Sequence, residues 1–185
     1  PSSFERYHLQ AEITKFCYEF KETTLGDPNF NSINFDKILS DKFIENLISK
    51  IQIDKVYDSK KSYVTSNPET IYLTVVDKDL NAVSFINSIC HVFGSGISTN
   101  NSGILFQNRG VNFRLEENHP NSIQGNKRPL HTIIPGLLTN ANNETILSYG
   151  VMGGQYQPIG QTHVLQNILD YNQTIQEAID FPRSF

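Results

Sequence analysis

The distribution of apolar positions divides the chain into three stretches of different periodicity. From residue 2 to 22, Leu9, Ile13, Phe16, Cys17 and Phe20 recur at helical spacing. Ser2 with Glu5 in front of them matches a capping box. A turn follows at "LGDPNF" (25–30), where Gly, Asp and Pro cluster. A second helix fits 40–51, capped by Ser40 and burying Phe43, Ile44, Leu47, Ile48 and Ile51. Between 58 and 69 the run "DSKKSYVTSNPE" is polar and aperiodic, and reads as an exposed linker.

Beyond the linker the period changes to two. "TIYLTVV" (70–76) and "AVSFINSI" (82–89) flank the turn "DKDLN" and form a hairpin signature. "SGILFQNRGVNF" (102–113) predicts a further strand and loop. "HTIIPGLLTN" and "ETILSYGVMGG" predict two strands around an Asn-rich turn at 140–143. Helical spacing then returns in 159–171 through Val164, Leu165, Ile168 and Leu169. A short helix at 174–182 carries its own capping box, Thr174 with Glu177. Helices, then strands, then helices predict a sheet layered between helices rather than an alternating parallel fold.

Composition changes this picture little. A chain of 185 residues suffices for one domain with a core, and a net charge of −4 offers no basic footprint for nucleic acid. No run of eighteen apolar residues suggests a membrane span. The sequence has no leader pattern, opens without Met and ends abruptly, so it reads as a segment of a longer polypeptide whose compartment stays open. The two cysteines, Cys17 and Cys90, lack metal spacing and read as buried free thiols. No His, Cys, Asp or Glu set has ligand spacing, so neither metal nor other cofactor is expected. His91, His119, His131 and His163 read as hydrogen-bonded structural residues.

Thr70 is the first candidate for chemistry. A threonine hydroxyl needs a base, and none stands beside it in sequence. Breaking the Glu69–Thr70 bond would supply one, since an α-amine has a pKa of about 7.7–8. A threonine heading a strand is equally a plain β-branched strand former. Adjacent Gly153 and Gly154 could present two backbone N–H groups to an oxyanion, or could simply make a turn.

The motifs "LGDPNF", "TIYLTVVDKDLNAVSF", "FGSG", "GILFQNRG", "NKRPLHTIIPG", "GVMGG" and "IQEAIDFPR" occur in that order from about Tyr7 to Arg183. In this they resemble the γ-glutamyltransferase family of N-terminal-nucleophile hydrolases. The resemblance implies an α+β fold, a four-layer αββα sandwich. It implies a precursor that cuts itself at Glu69–Thr70, with 1–69 ending a large subunit and 70–185 opening a small one. It places the nucleophile on Thr70, an assisting hydroxyl on Ser88 and oxyanion donors on Gly153 and Gly154. If 70–76 and 82–89 pair, Ser88 can lie near Thr70 across the strands. The implied reaction is acyl transfer from γ-glutamyl amides to water or amines. An amidase or acylase for other acyl groups is the alternative, as is an inactive unprocessed fragment. The expected partners are that small-molecule amide and the rest of the large subunit, with no nucleic acid and no membrane.

The sequence departs from the family pattern around the substrate. The family's acidic contact to the α-amine is matched by neutral Asn112, and the assisting Gln by Arg109. The two serines for the α-carboxylate are matched by His131 and Thr132. The usual turn glycine is Leu80. Arg109 is suited to grip a carboxylate bidentately.

Overall fold

The computed structural model describes residues 3–59 and 69–183. Ser2 and most of the expected linker therefore lie outside the described residues. The chain forms two compact units, one of residues 1–63 and 110–130, the other of 64–109 and 131–185.

In the first unit, helix α1 runs Phe4–Thr24, with Ser3 as its N-cap accepting from the Arg6 amide. The expected stripe packs only in part. Phe16 is buried against Tyr57 at a ring distance of 4.4 Å, and Phe20 meets Phe43 edge-on at 5.8 Å. Leu9, Ile13 and Cys17 are exposed, which corrects the expectation for that thiol. The buried face carries Arg6, Glu12, Phe16 and Tyr18 instead. Glu12 tolerates burial because it accepts from Lys15 (2.8 Å) and the Tyr57 amide (2.8 Å). A four-residue helix α2, Phe35–Ile38, capped by Asn34, precedes α3, Asp41–Ile48, which Ser40 caps as expected. None of the five apolar residues expected to be buried is so: Ile44 and Ile48 are exposed, and Phe43, Leu47 and Ile51 are half-buried.

Asp27, within "LGDPNF", is buried and accepts three hydrogen bonds from Arg128, from its amide (2.8 Å), Nη2 (2.9 Å) and Nε (3.3 Å). These bonds hold its carboxyl well below the usual carboxylate range. The adjacent Gly26 is required by packing, since a Cβ there would meet the Pro120 carbonyl oxygen at 2.3 Å.

The second unit is built on two antiparallel hairpins. Strands β1 (Ile71–Val76) and β2 (Ala82–Asn87) pair from Ile71↔Asn87 to Val76↔Ala82, as the alternation predicts. Strands β3 (Gly136–Thr139) and β4 (Thr145–Tyr149) pair around the Asn-rich turn, with a bulge at Leu138/Thr139. The hairpins touch through polar side chains. Ser148 Oγ lies 2.8 Å from both Tyr72 Oη and Thr74 Oγ1, and Ser84 Oγ donates to the Tyr149 carbonyl at 3.2 Å. Residues 70, 72 and 74 therefore share the face that meets β4. Ile71, Leu73, Val75, Val83 and Phe85 occupy the other face and are exposed.

The strand expected within 102–113 does not form. Its residues make an irregular ribbon (Ser95 N to Phe106 O, Phe106 N to Ile97 O, Thr99 N to Ile104 O) and a 3-10 turn, Arg109–Asn112. Gly94, Gly96 and Gly103 at positive φ interrupt any regular ladder. Helix α4 spans Gln157–Leu169 and α5 spans Ile175–Asp180, the latter with both halves of its Thr174–Glu177 capping box in place. The face that α4 buries is Gln157, Gly160, His163 and Asn167, not the apolar side through Leu169, which is exposed. Gly160 explains this choice: only a glycine lets the helix approach the Tyr156 ring, which a Cβ would meet at 2.6 Å.

Candidate active site

The hairpin register, continued one pair beyond Ile71↔Asn87, sets Ser88 opposite Thr70. Thr70 is only 5% exposed although it stands just ahead of β1. Ser88 Oγ donates to the carbonyl oxygen of Glu69 at 3.0 Å, which is the carbonyl of the Glu69–Thr70 peptide bond. The same Oγ accepts from the Cys90 amide at 3.0 Å. A carbonyl oxygen can only accept and a backbone N–H can only donate, so the hydroxyl proton is directed at Glu69. Cys90 reaches this position through a left-handed backbone, φ +80°, which few non-glycine residues adopt.

The strand end carrying Ser88 is gripped by residues 108 and 109. The Asn108 amide donates to Ile89 O (3.2 Å), and its side chain accepts from the His91 amide (3.1 Å). Its Nδ2 then donates to His91 Nδ1 (2.7 Å), so His91 carries its proton on Nε2. Arg109, 5% exposed, donates from Nη1 to Thr132 Oγ1 at 3.1 Å and from Nη2 to Ser88 O at 3.4 Å. His131 Nδ1 accepts from the Ile133 amide at 3.1 Å. Burial, and then the charge of Arg109, hold the His131 imidazole below its usual value.

The segment "GVMGG" begins on the same face. A Cβ on Gly150 would overlap the Tyr72 ring at 2.4 Å, so the segment lies pressed against the side chain two residues from Thr70. Gly153 (φ +119°) and Gly154 (φ +54°) both take backbone conformations that favour glycine. Among the described residues, nothing accepts from the N–H of either one.

Thr70, Ser88, Arg109, His131, Thr132, Gly153 and Gly154 thus all belong to the second unit, and Glu69 with them. Asn112 belongs to the first unit, where its Nδ2 donates to Leu130 O at 3.1 Å. Buried Asn121 holds that loop, donating to Asn112 O (2.6 Å) and accepting from the Leu130 amide (3.0 Å). No group of three or more His, Cys, Asp or Glu capable of holding a metal occurs among the described residues.

A family model described as Gamma-glutamyltranspeptidase matches residues 1–185. The chain belongs to the γ-glutamyltranspeptidase family. It is 36% identical over 181 residues to the "Glutathione hydrolase-like YwrD proenzyme" of Bacillus subtilis, covering 98% of this chain and 34% of that protein. It is 31% identical over 176 residues to the "Oxamate amidohydrolase proenzyme" of Klebsiella pneumoniae, covering 95% and 33%. The crystal structure of cephalosporin acylase from Bacillus halodurans superposes with a TM-score of 0.84 at 37% identity, over 98% of this chain and 33% of that one. The chain therefore spans about a third of the length of the relatives it matches, and its α+β fold is that of N-terminal-nucleophile hydrolases.

The residues that sequence reasoning missed are the supports. Asn108, Gln157 and Asn121 hold backbone groups through side-chain amides, and amides carry no periodic signal. Cys90 was legible as a buried thiol, which it is, but not as the donor to Ser88.

Proposed function

We propose that this chain is the catalytic segment of a self-processing acyl-transfer enzyme. Its substrates are amides of the γ-glutamyl or a related acyl type. The observation that carries the reading is the Ser88 hydroxyl hydrogen-bonded to the Glu69 carbonyl, directly across from Thr70.

In this reading the Thr70 hydroxyl adds to the Glu69 carbonyl carbon, and Ser88 polarises the carbonyl oxygen as charge develops there. The C–N bond breaks, the nitrogen keeps the proton from the hydroxyl, and an ester joins Glu69 to Thr70 Oγ1. Water hydrolyses the ester, leaving a Glu69 carboxylate and a free Thr70 amine. That amine is then the base for the second reaction. Thr70 Oγ1 attacks the substrate amide, the amine passes its proton to the leaving nitrogen, and water or an amine takes the acyl group. Gly153 and Gly154, with their unengaged N–H groups, hold the oxyanion. The bond between 69 and 70 is thus the boundary between a large-subunit and a small-subunit region. The remainder of the large subunit is the expected partner, in keeping with relatives that are proenzymes of three times this length. Arg109, His131 and Thr132 are the acyl-facing residues.

An amidase acting on non-glutamyl acyl groups is the second reading. It is favoured by the buried Arg109 and by relatives named as an oxamate amidohydrolase and a cephalosporin acylase. Mass spectrometry of the full-length protein tests the proposal. The expected result is a chain beginning Thr70-Ile71-Tyr72, and a Thr70→Ala protein that stays whole. Cleavage of Thr70→Ala at the same bond would remove the nucleophile from this position.

A further inference from the structure

Cleavage at Glu69–Thr70 would divide the first unit between two chains. That unit consists of residues 1–63 and 110–130, which lie on opposite sides of the bond. The second part is an excursion of the small-subunit region with little to hold it by itself. Beyond the 3-10 turn Arg109–Asn112 it contains neither helix nor strand. None of its apolar residues is buried, and Val111, Leu115 and Ile123 are exposed. Apolar burial, the usual source of cohesion, therefore does not fix its place.

Polar contacts do. Three side chains of the excursion reach the end of α1 and the turn after it. Arg128 meets Asp27 through its amide, Nη2 and Nε. Arg114 pairs with the Glu22 carboxylate, and His119 Nε2 donates to the Glu22 carbonyl oxygen at 2.7 Å. The Asn121 amide donates to His119 Nδ1 at 3.0 Å, which keeps the ring proton on Nε2. Asp27 is 4% exposed and the Glu22 side chain 13%, so both carboxylates depend on these donors. The backbones close up as well, because the Pro120 carbonyl occupies the place of a Cβ on Gly26. Asn121 relays the hold. Its side chain ties the Asn112 carbonyl to the Leu130 amide, and its own carbonyl accepts from the Arg114 amide at 2.9 Å. Both ends of the excursion are thus braced to the residues that touch Glu22 and Asp27.

We infer that Glu22 and Asp27 are the large-subunit half of an inter-chain clasp, closed by Arg114, His119 and Arg128 of the small subunit. The inference rests on cleavage at Glu69–Thr70. The partner that the excursion recognises is the segment to which it was once covalently joined. Its contacts are already made in the uncut chain, so no rearrangement is needed for them to become an interface between two chains. Cys17 and Cys90 fall on opposite sides of the cut and both are free thiols, so they do not join the chains. The two halves of the clasp are unequal. The Asp27 side chain is 1% exposed, whereas that of Arg128 is 67% exposed. Removing the carboxylate leaves two Arg128 contacts and its amide unmet, while removing the guanidinium leaves the amide bond to Asp27 in place.

The experiment is hydrogen exchange read by mass spectrometry on peptides of the processed full-length enzyme. Asp27→Asn should speed exchange within 110–130 by about tenfold or more, the scale for losing hydrogen bonds to a charged group. Arg128→Ala should speed it by about threefold to tenfold. The double variant should be no faster than Asp27→Asn alone to within about twofold, because a contact already lost cannot be lost again. Exchange in 71–87, the β1–β2 hairpin, should stay within about twofold throughout. If Asp27→Asn does not mature, Arg128→Ala decides, since its guanidinium is mostly exposed. Exchange in 110–130 that stays within about twofold in every variant that matures, or effects of the two changes that simply multiply, overturns the clasp while leaving Thr70 as nucleophile. A full-length protein that is never cut at Glu69–Thr70 overturns both.

Discussion

The hairpin β1–β2 has two ends that solve the same geometric problem differently. The closed end is the loop 77–81, where Asp77 accepts from the Asp79 and Asn81 amides at 2.9 Å and from Asn81 Nδ2 at 2.8 Å. The open end is Glu69–Thr70 facing Ser88–Cys90. Each contains one non-glycine residue in the left-handed region, Leu80 at φ +63° and Cys90 at φ +80°. Leu80 is 78% exposed, and its side chain has no role in the loop, so its strain is uncompensated. Cys90 is buried, and its strained backbone aims an N–H at Ser88 Oγ. Strain at the closed end is incidental, whereas strain at the open end positions a hydroxyl.

This contrast can be broken most sharply at Ser88. Ser88→Ala should slow self-cleavage by about a hundredfold, the scale for losing one oxyanion donor. Asp77→Ala, at the other end, should leave the rate within about twofold. Gel analysis of cleavage over time separates the two. Loss of the clamp comes next. Asn108→Ala removes the partner of the His91 amide and Nδ1, and should cost about 2 kcal/mol in urea unfolding. A Leu80→Gly change relieves strain and should add about 0.5 to 1 kcal/mol with no effect on cleavage. Cys90→Gly keeps the N–H and relieves the same strain but loses a buried side chain. Its net stability change should fall within about 0.5 kcal/mol, and self-cleavage should survive.

The smallest effect is on acid response. Desolvation and Arg109 lower the His131 value, so the folded state favours the neutral imidazole. The stabilisation is complete above the unfolded value of about 6.5 and is lost as pH falls below it. Hydrogen bonds from the Asn81 side chain and amide lower Asp77, so its contribution persists until pH falls below about 4. Hydrogen exchange on descending pH should therefore show residues 88–91 losing protection before residues 77–81. Equal pH dependence at the two ends would remove His131 from the account.

The sequence announced whatever depends on local chemistry. The hairpin register, the Asn-rich turn, the Ser40 cap and the Thr174–Glu177 box follow from alternation and capping, and each forms where expected. Of the residues named by the family motifs, Thr70, Ser88, Arg109, His131, Thr132 and the two glycines lie in one unit and Asn112 in the other. What the pattern missed is which face packs. On α1 and α4 the buried positions include Glu12, Gln157 and Asn167, and the first two are met by the Tyr57 and Ile134 amides, partners distant in sequence. Apolar periodicity locates a helix but misplaces its face when polar residues pack inward. Around 102–113, Gly103 at positive φ, with Gly94 and Gly96 just before it, turned an apolar run into a ribbon without a ladder.

The outer face of β1–β2 bears on how this polypeptide behaves in a test tube. Ile71, Leu73, Val75, Val83 and Phe85 form an exposed oily row on a two-stranded ribbon whose edges pair with no further strand among the described residues. Such a row is both a dye-binding surface and a template for edge-to-edge stacking. Expressed as this segment alone, the chain should bind hydrophobic dyes while folded, and should precipitate at concentrations where the full-length protein stays clear. Lysine at Val75 and Val83 would be the change to make before any attempt to concentrate it.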